Sequence, residues 1–160
     1  VLGYSTGVYD VLKLVHVLAA VCWVGGDFML QLLGYRLQKE NDSERLAWFG
    51  RSVADVGQKV ITPLSVLLIV FAVALVAYSP QWNFSDLWIE LAIAGYVVTL
   101  VTGAGYLGPR SGKLAAMVND GRGVDEPEVR TQLNRLLAVA RWDLLVLFLV
   151  VVDMVLKPGT

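Results

Sequence analysis

One apolar run, Leu12 to Leu33 (LKLVHVLAAVCWVGGDFMLQLL), constrains this chain more than any other stretch. As a helix its 22 residues rise about 33 Å, which matches a bilayer hydrocarbon core of about 30 Å, so it reads as a membrane span. The run carries the protein's one histidine, His16. Residues three, four and seven apart share a helix face, so His16, Ala20, Trp23 and Asp27 form one stripe. Ionisable groups in a bilayer are costly unless they face protein, and the stripe is expected to point inward.

The rest of the chain is consistent with that start. Hydrophobic residues make up 56% of it and charged residues 17%, against about a quarter charged in soluble domains. The mean hydropathy is +0.61. With a net charge of -1 there is no broad basic surface, which argues against a nucleic-acid partner. A single cysteine, Cys22, excludes an intramolecular disulfide and Cys-x-x-Cys chemistry. Val1 to Asp10, with Tyr4 and Tyr9 suited to an interface belt, lacks the basic region of a cleaved signal peptide, so the first run is expected to remain as an anchor.

Three more spans follow, at about 60–78, 87–107 and 136–156, giving an all-α bundle of four transmembrane helices in one membrane domain. Between the first two spans, 43–59 has helical spacing and reads as a cytoplasmic helical loop. Pro63 is expected to kink the second span, with Thr62 and Ser65 placed to satisfy the freed backbone groups. Gly103-Ala104-Gly105 offers small residues for a close helix approach, and Gly108-Pro109 is expected to stop the third helix. Asp125 followed by Pro127 and Glu128 has the form of a capped helix start. The segments 36–59 and 110–135 hold five basic residues each and the 79–86 turn none, so both basic loops are expected in the cytoplasm and both termini outside.

That orientation assigns each charge a depth. Lys13, His16, Glu90 and Asp153 fall in an outer layer; Asp27, Lys59, Arg141 and Asp143 fall in an inner one. The inner charges are expected to be structural, with Asp27 and Arg141 neutralising each other and fixing register. A conduit through Asp27, Lys59 and Asp143 would need a polar route, which the apolar middles of helices two and three do not offer. For the outer layer two readings stand side by side. His16 is either a packed histidine bonded to Glu90 or Asp153, or a ligand for haem or a transition-metal ion. In the metal reading Glu90 and Asp153 join it; in the haem reading Trp23 and Val17 supply apolar walls and Lys13 a cation for the propionates. One histidine cannot supply two imidazoles, so a second axial ligand would be a methionine, another copy of the chain, or absent.

The pattern Leu12-Lys13-x-x-His16, then Trp23-x-x-Gly26, resembles the first helix of HemJ-type protoporphyrinogen oxidases and of copper-resistance D membrane proteins. The ending Met154-Val155-Leu156-Lys157-Pro158 is similar to the Lys-Pro that closes HemJ-type chains. Gly105-Tyr106-Leu107-Gly108-Pro109-Arg110 together with that tail looks like a group of uncharacterised bacterial four-helix membrane proteins. The HemJ resemblance implies haem b held in the bundle with His16 as axial ligand. The lysine those enzymes carry early in helix three is Glu90 here, and their further histidines have no counterpart, so porphyrinogen oxidation is not implied. The expectation is an accessory, non-catalytic protein of the bacterial inner membrane, a homo-oligomer or part of a larger complex. The alternatives are a purely structural subunit and a small transporter or channel.

Overall fold

The computed structural model describes residues 6–40, 42–123 and 126–159. The described residues are helical apart from short connections: α1 (Thr6–Glu40), α2 (Ser43–Val56), α3 (Thr62–Tyr78), α4 (Leu87–Thr102), α5 (Gly108–Asn119) and α6 (Pro127–Leu156). Two π-helical turns, Gly57–Ile61 and Gly103–Leu107, join α2 to α3 and α4 to α5 without a break. The described residues therefore make four long rods, of which Gly7–Glu40, Ser43–Tyr78 and Leu87–Asn119 are long and apolar enough to cross a membrane. The fourth, α6, carries Arg141, Asp143 and Asp153 in its apolar half.

The two π turns share a cause. Each begins at a glycine and has a proline six residues on, Gly57 with Pro63 and Gly103 with Pro109. A proline ring clashes with the carbonyl four residues back and supplies no N–H, so a helix that continues past it must widen or kink. Here it widens. The Thr62 N–H reaches back to the Gly57 carbonyl, which also accepts from the Thr62 hydroxyl at 2.9 Å, and the Gly108 N–H reaches the Gly103 carbonyl. Ser65 Oγ donates to the Thr62 carbonyl at 2.8 Å. Thr62 and Ser65 thus serve the backbone near Pro63.

Pro109, in contrast, does not stop the third helix. The rod runs on as α5 because Leu114, Met117 and Val118 bury against α2 and α6, and that packing outweighs the lost hydrogen bond. Gly103 and Gly105 face open space and mediate no close crossing; their place is the π turn itself. The first helix also begins before Asp10, at Thr6. Tyr4 and Asp125 lie outside the described residues; α6 starts at Pro127 after an extended Glu126.

Exposed large apolar side chains stud α1 from Val8 to Tyr35, all of α3 and α4, and α6 from Trp142 onward. Between residues 36 and 59 only Trp48 is of this kind, and between 102 and 141 none is, among the described residues. The bundle thus has an apolar belt and, beyond the π turns, a lobe with an ordinary water-facing surface. Asp42 caps the lobe's α2 by accepting from the Glu44 and Arg45 N–H groups at 3.0 and 3.1 Å. The lobe core is Leu46, Ala47 and Phe49 of α2, Leu114, Met117 and Val118 of α5, and Val129, Leu133 and Leu137 of α6.

In the belt α1 packs on α3 and on α6, and α4 packs on α6. The antiparallel register of α1 and α6 is set by Gln31 Nε2 donating to the Leu137 carbonyl at 3.0 Å and by Gln38 donating to Asn134. At the end away from the lobe the four rods part around a cavity.

Candidate functional site

The cavity has a volume of about 690 Å³, within the range of about 300–1,000 Å³ usual for small-molecule and cofactor sites. α1, α3, α4, α6 and the 79–86 turn all line it, mostly with aliphatic side chains. Lys13, His16 and Trp23 of α1 all belong to the lining. Glu90 and Asp153 do not.

His16 is 7% exposed. Its Nδ1 lies 3.2 Å from the Leu68 carbonyl of α3, an oxygen that can only accept, so Nδ1 is the donor of this bond and in the neutral ring Nε2 keeps a lone pair. Leu68 thus takes the place that Glu90 or Asp153 was expected to fill. The reason is rotational: Trp88 and Ile89 turn into the bundle, which leaves Glu90 exposed, and Asp153 is half-buried outside the cavity with Oδ2 unpartnered. Among the described residues no three His, Cys, Asp or Glu side chains come together, so His16, Glu90 and Asp153 do not converge as a metal-ligand set.

In the cavity wall Trp23 is 5% exposed and meets Tyr96 edge-on, with ring centroids 5.8 Å apart. The Tyr96 hydroxyl donates to the Ser65 carbonyl at 3.1 Å. Asp27 follows one turn on, with the Trp23 indole as its hydrogen-bonding neighbour.

The partner expected for Asp27 was Arg141, but the two do not pair. Arg141 is exposed, and its Nε donates to the Leu137 carbonyl of its own helix at 3.3 Å. Residues two apart on a helix point about 200° apart, so Arg141 and Asp143 cannot both face α1, and Asp143 does. Asp143 is 8% exposed, its Oδ1 has no partner, and Asp27 is its acidic neighbour across the α1–α6 contact. Lys59 sits on the first π turn, exposed and paired with Asp55 at 3.2 Å, so it joins neither acid. An orphaned buried acceptor costs about 1–3 kcal/mol. Asp143→Asn, which supplies an N–H donor toward Asp27, is accordingly expected to raise the thermal midpoint in detergent, by about 1 kcal/mol or more of stability. A lower midpoint would show that the carboxylate itself is required.

At the far end of the cavity Trp82 and Trp88 meet edge-on, with centroids 5.2 Å apart. The Lys157 ammonium lies 4.1 Å from the centre of the Trp82 ring and 5.2 Å from that of Trp88. Lys157 ends α6 in the left-handed conformation, φ 46°, with its N–H on the Asp153 carbonyl at 2.8 Å. Glycine is the usual residue at such a position. Nothing in the sequence spacing of these three residues places them against one another.

An all-helical chain with an apolar belt and several helices long enough to cross a bilayer is an integral membrane protein, embedded in lipid. It belongs to the family described as "Predicted integral membrane protein (DUF2269)", whose profile matches residues 10–158. No curated protein and no solved structure matches it significantly.

Proposed function

We propose that this protein is an accessory haem-binding protein of the bacterial cytoplasmic membrane, spanning it four times with the basic lobe in the cytoplasm and the cavity toward the outer leaflet. The observation that carries the reading is the setting of His16: a buried imidazole in a cavity wall, with Nδ1 committed to the Leu68 carbonyl and Nε2 left with its lone pair. Holding one ring nitrogen as a donor to a carbonyl is how proteins orient the other toward a metal. A bare ion would need several protein ligands, and no cluster of three is present among the described residues. A porphyrin brings four of its own, so a single imidazole suffices. The apolar walls and the cations Lys13 and Lys157 in the lining suit a flat apolar body with acidic substituents. The first-helix pattern resembling that of HemJ-type oxidases supports the same reading. Bound haem would supply one-electron chemistry. The chain's part is to hold it through His16 and to exclude water with the aliphatic walls.

The protein purified in detergent, from cells supplied with haem precursor, is expected to show a Soret band and iron at one equivalent per chain. His16→Ala is expected to abolish both with helical circular dichroism unchanged. A wild-type protein that is colourless and stays so on titration with haemin overturns the assignment. In that case a partner co-purifying in fixed ratio would point to a structural subunit.

A further inference from the structure

The cavity lining contains Lys13, His16 and Lys157 and not one carboxylate, in a chain with 14 acidic residues. It also contains a donor without an acceptor: Trp88 is 8% exposed and its indole Nε1 makes no hydrogen bond. Two further polar groups of the wall are committed, His16 Nδ1 to the Leu68 carbonyl and the Tyr96 hydroxyl to the Ser65 carbonyl. An indole N–H buried without a partner loses its hydration and regains nothing, so an acceptor that reached it would be held with a gain in free energy. The Lys157 ammonium stands over the same indole, 5.2 Å from its centre, held there by a left-handed residue where glycine would cost less. A neutral N–H donor beside a cation recognises a carboxylate or phosphate oxygen by a charge-assisted bond.

We propose that Trp88 and Lys157, with Lys13 nearby in the lining, form a subsite for the acidic head of an amphiphile whose apolar body fills the cavity. The head is a carboxylate or a phosphate. It belongs either to haem, as a propionate, or to a lipid or fatty acid of the surrounding leaflet. For haem the subsite rests on the function proposed above; for a lipid it stands without it.

Acid and ester forms of two probes separate these cases: haemin against its dimethyl ester, and a fluorescent polyene fatty acid against its methyl ester, each titrated into the full-length protein in neutral detergent. The free acid is expected to bind about tenfold or more tightly than the ester. Trp88→Phe and Lys157→Gln are each expected to bring the ratio close to one without weakening the ester. Because esters probe the apolar cavity alone, a variant that merely misfolds loses both forms. Preference for the acid with haemin only identifies a propionate, and with the fatty acid only a lipid head. Equal binding of acid and ester for both probes, or binding of neither probe, overturns the proposal. In His16→Ala, loss of the haemin spectrum with the fatty-acid ratio preserved leaves both readings standing. An unchanged haemin spectrum there removes the haem ligand but not the acid subsite.

Discussion

Leu133→Ala is expected to destabilise the protein by about 2–5 kcal/mol, read as a fall in the thermal or denaturant midpoint in detergent. Leu133 is 0% exposed and sits where α6 meets α2 and α5. The lobe lies outside the apolar belt, so its core is assembled by the hydrophobic effect in water. The belt has no such drive, because lipid is as apolar as leucine. Removing methyl groups from a site walled by Leu46, Phe49, Leu114 and Val129 leaves a cavity that three helices cannot all close upon. The comparison is Leu149→Ala on α6, 58% exposed in the belt, where the change is expected to stay within about 0.5 kcal/mol. Equal losses at the two positions would mean that the lobe is not a water-facing core.

The helices were legible in the sequence because apolar runs of bilayer length leave little else for the chain to do. Orientation about each helix axis was legible only where one residue was expensive. His16 was read as inward on cost alone, and it is buried. Its partner was not legible, since the Leu68 carbonyl is a backbone atom with no sequence signature. Arg141 and Asp143 present the opposite case. Two charges on opposed faces cannot both turn in, and charge complementarity with Asp27 favoured the arginine. The packing of α6 instead buried the acid. Pro63 and Pro109 have the same local context, and both widen a helix that continues; whether a proline ends a helix was decided by what lay beyond it, in α5 a buried Leu114, Met117 and Val118. Trp88 and Lys157 are 69 positions apart in the sequence, and only the α4–α6 apposition brings them together.

That apposition turns on one glycine, and Gly95→Ala is expected to cost about 1–3 kcal/mol. A Cβ on Gly95 would overlap Val150 Cγ2 on α6. Valine in a helix is nearly confined to one rotamer, so its methyl cannot swing aside and the helices themselves must separate. Gly112→Ala is the control that fixes the sign. Gly112 lies in α5 with nothing within 4 Å of its added Cβ, so there the alanine is expected to stabilise by up to about 1 kcal/mol through helix propensity. Separation of α4 from α6 at Gly95 also moves Trp88, two turns up α4, away from Lys157 at the end of α6. Gly95→Ala is therefore expected to lower the acid-over-ester ratio as well as the midpoint, whereas Gly112→Ala changes only the midpoint. A Gly95→Ala protein with an unshifted midpoint would show that the α4–α6 contact yields freely, and a cavity walled by two such helices would have no fixed mouth at which to hold an acidic head.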